Sequence, residues 1–507
     1  MAGKEEKKTP KQNAQPQEQP KPTNWEGHHD DKAPVFRVLH GRQKITIGYE
    51  EINDTNIVDT LLQTFPIFQS NAIDIEYLFN YYKGNQPIIN KVKKVRPEIN
   101  NIVVENHANS IVQFKVGYLL EKPIQYVARK DAVDNKSMYA LNDYLEIIGK
   151  EGKDRQIAHD QAVCGTAFRL ALPNRRYEID SDESPFRVAT VYPANAYVVY
   201  STLVDKEPLL GVIIYKKRIE GRDHTILQAY SNVKYWEYDM TANALLKSEA
   251  HPYGYIPLIE YPYSDERVGA FEIVIPLLDA INKVQSNRLD GVEQFIQALL
   301  VFKNSDIEKE ELKELLELGA IKISDTGELK ANIEYLTQEL NQEQTQVLKN
   351  DLLDVVYHIV GMPSRTKSGG GDTGTAVIYR NGWEEADSKI QDVELMFKES
   401  EKQFLKIILS YTRTLTLENN KLKLSDIEVK FTRRNFENTY QKTQILDMML
   451  KNGKIAPRLA FVTCGLFQDP ESAYAESEEY VKEKAQTMPT PPVQPTPPVE
   501  EEEEENV

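Results

Sequence analysis

The residues whose types and spacing could do chemistry are few, and most cluster in one stretch. Gly369, Gly370, Gly371 and Gly374 fall within 364–375, a segment with almost nothing apolar to bury. Glycine loops ahead of a helix often cradle phosphate, which would make this a nucleotide site. That chemistry needs a hydrophobic strand before the loop and Lys-Ser or Lys-Thr after the glycines. Here an apolar helix comes before, and neither dipeptide follows. The acidic pairs Glu310-Glu311, Glu384-Glu385 and Glu478-Glu479 would suit a nuclease or other metal-dependent enzyme only as a clustered metal site. They fall on amphipathic helical stretches, where a solvated face accounts for them. His107 has no second ligand at i+4 and reads as a packed or solvated side chain. Cys164 and Cys464 stand far apart, which fits a reducing cytoplasm and offers neither a disulfide frame nor a metal cluster. No catalytic residue, metal or cofactor is expected.

The elements beside the glycine loop are better defined than the loop itself. Leu352, Val355, Val356, Ile359 and Val360 recur at helical spacing, and Gly361-Met362-Pro363 supplies a C-cap glycine and a stop. A second helix is predicted after the loop, capped by Thr373 or Thr375. Ile378, Trp383, Ile390, Val393, Met396, Phe397, Phe404, Leu405, Ile408 and Leu409 form its apolar stripe, up to about Tyr411.

A chain of 507 residues has room for about three domains. Its formal charge of −17 argues against a protein that wraps DNA by neutralising phosphates. No signal peptide is read, and no apolar run approaches the roughly 20 residues of a membrane helix. Residues 1 to about 34 are polar and proline-interrupted, and 488–507 are Pro-Thr repeats followed by glutamates; both are expected to be disordered.

Between these tails the pattern predicts helices over 52–82, interrupted by Pro66, and from Pro97 to Gly117. A helix near 154–163 follows. Short strands rich in Val, Ile and Tyr are expected at 124–128, 167–172, 187–192, 196–200, 210–217, 225–230 and 234–238, forming an antiparallel sheet. Their tyrosines, among them Tyr192, Tyr197, Tyr200, Tyr230 and Tyr238, could stack on bases, but in strands they more often pack. The region 36–265 therefore reads as α+β.

A long helix over 268–302 would span about 45–50 Å. Its polar middle, with Lys283, Gln285, Asn287, Arg288 and Asp290, suits either a helix lining a wet passage or an ordinary solvated face. A helix at 306–318 and strands at 320–324 and 329–336 make a compact excursion, and a return helix runs from about 341 to 361. A strand at 427–432 and helices at 439–452, from Pro457, and at 470–486 close the folded chain.

In this order, a set of short motifs resembles the portal proteins of tailed bacteriophages, in particular those of siphophages infecting Gram-positive bacteria. The motifs are Tyr81-Tyr82-Lys83-Gly84, Val116-Gly117-Tyr118-Leu119, Ile256-Pro257-Leu258-Ile259, Gly369-Gly370-Gly371-Asp372-Thr373-Gly374, Phe431-Thr432-Arg433 and Phe467-Gln468-Asp469-Pro470-Glu471. Each is weak, but their order and spacing together are specific over about 80–485.

The resemblance implies a ring of twelve subunits at one capsid vertex, in the virion, assembled in the host cytoplasm, with a tunnel for double-stranded DNA. Its parts would be an N-terminal arm (1–35), an α+β wing (36–265), a stem helix (266–302), a clip (303–338) and a stem return helix (339–362). A tunnel loop (363–375), a long wing helix and strand (376–436), a helical crown (437–486) and a Pro/Glu tail (487–507) would follow. The expected partners are the terminase large subunit, head-completion proteins, scaffold and major capsid protein, with no membrane. Lys367, Ser368, Gly369, Gly370, Gly371, Asp372 and Thr373 would face DNA in the loop, and Lys283 or Arg288 on the stem. Those two are five positions apart and so do not share a face. An acidic chain fits a passage, because each phosphate neutralised by Lys or Arg would hold the cargo back. The alternative is another ring-forming head-tail connector or scaffold-binding protein without a tunnel.

Overall fold

The computed structural model describes residues 39, 41–94, 96–129, 135–178, 182–296, 299–303, 332–336, 342–363, 382–415, 422–432, 439–467 and 470–487. Over these the chain mixes helices with small sheets, in keeping with an α+β class.

After a short strand β1 (Ile45–Ile47), helix α1 (Ile57–Tyr82) runs unbroken through Pro66. The expected interruption does not occur. Pro66 and Leu62, whose carbonyl the proline leaves without an amide, both lie on the exposed face, where water can serve that carbonyl. The other face buries Ile57, Leu61, Phe68, Ala72, Ile75 and Leu78. Helix α2 (His107–Leu119) starts ten residues later than Pro97 suggested. Asn106 caps it by accepting from the Asn109 amide. The amides of 101, 103 and 105 are bound to side chains of a later helix, so this segment stays extended. Strand β2 (Gln125–Ala128) and helices α3 (Asn135–Ile147) and α4 (Lys150–Cys164) follow.

The strands are β3 (Thr166–Pro173), β4 (Phe186–Val191), β5 (Ala196–Ser201), β6 (Pro208–Ile219), β7 (Arg222–Tyr230), β8 (Lys234–Asp239), β9 (Ala244–Ala250) and β10 (Leu258–Pro262). They do not form one antiparallel sheet. One sheet has the order β1-β5-β6-β7-β8-β9, with β1 parallel to β5, and a separate sheet has the order β10-β3-β4. Of the tyrosines weighed for base stacking, Tyr197, Tyr230 and Tyr238 are buried and Tyr200 donates to Glu260 at 2.6 Å, while Tyr192 is partly exposed beside Phe79.

Helix α5 (Ile275–Ile296) has 22 residues, about 33 Å, and is shorter than the 268–302 helix expected. The chain turns into β11 (Leu299–Lys303), which pairs antiparallel with β12 (Asn332–Leu336). Leu299 to Phe302 is a run of apolar residues, and periodicity alone cannot separate a strand from a helix end. The expected elements at 306–318 and 320–324 lie outside the described residues. Helix α6 (Gln342–Val360) returns against α5. Helix α7 (Trp383–Leu415), strand β13 (Ile427–Lys430) paired with β2, and helices α8 (Thr439–Lys451), α9 (Pro457–Cys464) and α10 (Pro470–Thr487) complete the chain. The described part of α7 begins at Trp383, so Thr373, Thr375 and Ile378 lie outside the described residues.

Buried polar sites join these layers. Where α7 crosses β3 and β10, Glu401 accepts from Arg169 at 2.7 Å, Tyr126 at 2.7 Å and Tyr261 at 2.9 Å, and pairs with Lys150 at 3.1 Å. Asp154 pairs with both Lys150 and Arg169, which makes the two-cation, two-anion set neutral. Ahead of α5, Glu272 accepts from the Gly41 amide at 3.0 Å, the Gly269 amide at 2.9 Å and the Arg42 guanidinium at 2.5 Å. Gly165 lets the backbone of 267 pass: it has φ +82, and an added Cβ would stand 1.9 Å from the Arg267 carbonyl oxygen.

Candidate channel-lining site

The polarity in the middle of α5 has three destinations. Asn282, Ser286 and Asp290, four residues apart and all buried, face the extended segment 91–105. Asp290 Oδ1 accepts from the Asn101 amide at 2.6 Å, Ser286 Oγ from Val103 at 3.0 Å and Asn282 Oδ1 from Glu105 at 2.8 Å. This segment is thereby strapped along one flank of the helix, and Lys91 closes the far end on Asp290 at 2.7 Å.

A second flank meets α6. Arg288 donates to Gln346 at 2.6 Å, and Glu105 accepts from both Gln285 on α5 (2.5 Å) and Lys349 on α6 (2.6 Å). Burial works to raise the Glu105 carboxyl, but donation from His107, Lys349 and Gln285 holds it at about 2. His107 is thus a partner of Glu105, at 2.8 Å. Among the described residues no group of three His, Cys, Asp or Glu side chains is arranged to hold a metal, and no helix is long and apolar enough to cross a membrane.

The third flank is open. Lys283, Asn287 and Gln294 are exposed on it and Ala280 and Gly291 are half-buried, a stripe of small and polar residues with one positive charge and no acid. Of the two stem cations singled out from the sequence, Lys283 therefore stands on the open face and Arg288 is turned to α6.

Lys367, Ser368, Gly369, Gly370, Gly371, Asp372 and Thr373 lie outside the described residues. The chain on either side of them is firmly held. Helix α6 ends with Gly361 at φ +60, its amide on the His358 carbonyl (3.1 Å) and that of Met362 on Tyr357 (2.8 Å), a Schellman end. Two lysines with no local signature in the sequence cap its last carbonyls. Lys389 of α7 reaches Ile359 at 2.5 Å and His358 at 3.3 Å, and Lys115 of α2 reaches Gly361 at 3.3 Å. Burial, then the neighbouring Lys389, pushes Lys115 down to about 8. On the far side Trp383 packs against Phe114 and Tyr118, ring centroids 6.1 and 5.9 Å away. Helix α2 thus holds the chain both where it leaves α6 and where it begins α7.

The family described as "Phage portal protein, SPP1 Gp6-like" matches residues 64–490. A portal protein of Bacillus phage SPP1 is 23% identical over 397 residues, covering 74% of this chain and 75% of the relative. A chain of a solved structure described as "Neck of empty GTA particle computed with C6 symmetry" superposes with a TM-score of 0.41 and 12% identity, over 71% of this chain and 90% of that one.

Proposed function

This chain belongs to the SPP1 Gp6-like family of phage portal proteins, and we propose how its parts divide the work of passing DNA through the capsid vertex. Twelve copies form a ring. Helices α5 and α6 are the stem, and the open stripe with Lys283 faces the DNA. The segment 363–375 is the tunnel loop, with Lys367, Ser368, Gly369, Gly370, Gly371, Asp372 and Thr373 toward the DNA. Strands β11 and β12 with the chain between them are the clip, which docks first the terminase large subunit and then head-completion proteins. Helices α8 to α10 are the crown, and the remaining α+β part is the wing, beside scaffold and major capsid protein. The ring assembles in the host cytoplasm and stays in the virion.

The observation that carries this assignment is the family match, which spans both stem helices and the chain between them. The acid-free stripe on α5 supports the DNA-facing side: a tunnel wall with one isolated cation per subunit makes few phosphate contacts and so does not hold its cargo. Native mass and negative-stain images of the purified protein test the ring, and a compact closed dimer would refute it. Deleting 369–373 tests the loop. Rings should still form while packaging fails, and loss of the ring would show the segment to be structural instead.

A further inference from the structure

The strap 91–105 and α6 flank α5 and meet at one end through Glu105 and Lys349, and each leaves apolar groups uncovered. On the strap Val92 is 86% and Ile102 43% exposed. On α6 Val347 is 57%, Leu348 50% and Val355 46% exposed, on the side turned away from α5, because Gln346, Lys349 and Val356 take the inward positions. Apolar groups left on both flanks of one layer are the mark of a surface that packs against something else.

The exposed acids lie mostly on α6, where Glu343, Asp351 and Asp354 accompany the apolar groups; the strap shows Lys94 and half-buried Arg96 beside one acid, Glu98, and its Lys93 is turned inward to Asp290 at 3.5 Å. The two sets of apolar groups stand at the same level. The rungs at Asn101 and Val103 hold Ile102 beside 286–290 of α5, and the Arg288–Gln346 bond holds Val347 and Leu348 beside that same stretch. With α5 running along the ring axis, rotation preserves level, so these two groups are brought opposite each other when copies are arranged around that axis.

We propose that the strap of one subunit packs on the outer face of α6 of the next, with Ile102 against Val347 and Leu348 and Lys94 against the α6 acids. The occupant of each flank is a second copy of this chain. Contact between two different faces is heterologous, the kind that closes into a ring rather than a two-fold dimer. The proposal rests on the ring described above and names the surfaces that build it.

The test is the double variant I102C/V347C, oxidised and run on a non-reducing denaturing gel. Native Cys164 and Cys464 are buried and give little background. A ladder of covalent multimers running beyond the dimer, absent from I102C and V347C singly, is the expected result. Rings on the grid without a ladder overturn the interface and leave the ring standing. A wild-type native mass of one subunit overturns the ring and the interface with it. The variant L348E/V355E gives a second measurement: its thermal unfolding and circular dichroism should match the wild-type subunit while ring formation falls. Rings as abundant as wild type would overturn the proposal.

Discussion

Replacing Glu401 by glutamine tests what holds α7 to the sheet. Lys150, Arg169, Asp154 and Glu401 form a neutral buried set in which Arg169 and Glu401 are fully enclosed. Glu401→Gln keeps the shape but leaves one uncompensated positive charge there. Breaking one partner out of a buried pair costs about 3–5 kcal/mol. The urea midpoint should therefore fall while its slope stays unchanged. Glu399→Gln, on the exposed side of the same helix, should move stability by no more than about 0.5 kcal/mol. Acid titration gives an independent check. Burial works to raise the Glu401 carboxyl, but Lys150 and Arg169 overrule it and hold it at about 2, below its ordinary 4.5. A carboxyl depressed on folding stabilises fully above 4.5 and loses that contribution as pH falls toward 2. The wild type should lose its advantage over Glu401→Gln across that window. A variant within about 1 kcal/mol of wild type at neutral pH, or a difference unchanged down to pH 2, would show that the cluster is not what anchors α7.

Other substitutions probe the remaining joints. Gly165→Ala should prevent soluble folding, because its Cβ would sit 1.9 Å from a carbonyl oxygen at φ +82; a soluble variant of unchanged melting temperature would contradict that packing. Lys115 gives up its proton near 8 when folded and near 10.5 when unfolded, so the unfolded state binds more protons between those values. Raising pH from 8 to 10.5 should therefore stabilise the wild type relative to Lys115→Met by about 3 kcal/mol, and parallel stability curves would refute it. Asn282→Ala leaves the Glu105 amide without its acceptor, at about 1–3 kcal/mol. Trypsin should then cut faster at Lys91, Lys93 and Lys94, and an unchanged rate would mean the strap is held elsewhere.

Where one residue pattern admits one structure, the sequence was a good guide. The seven strands from 124 to 238 were found because alternating Val, Ile and Tyr between turn residues suits little else, and Gly361 ends α6 as its position suggested. Several departures come from local signals overridden by distant partners. Pro97 opens no helix because the amides after it are satisfied by α5, nearly 190 residues away in the chain. The polar middle of α5 looked like a single wet face, yet it divides among the strap, α6 and solvent, which spacing alone could not apportion. Lys115 and Lys389 were invisible for the same reason: a lysine that caps a distant helix has no local signature. The glycine loop was legible as composition, and its geometry lies outside the described residues.

The three rungs between strap and α5 set their own length, as on a vernier scale. Each step uses two residues of extended chain, about 6.6 Å, against four of helix, about 6.0 Å. The two rulers drift apart by about 0.6 Å per rung, more than the spread of good N–H···O distances allows over many steps. Serine, the shortest acceptor, takes the middle rung, and the longer asparagine and aspartate reach for the outer two. The next graduations are already abandoned: the Ile99 amide turns to the Arg96 carbonyl and the His107 amide to Glu105. A slip by one residue would point the strap's amides away from the helix. A slip by two would put a different residue on every mark. The strap can therefore sit at one phase only, and any surface it presents to a neighbour comes at a height fixed by α5.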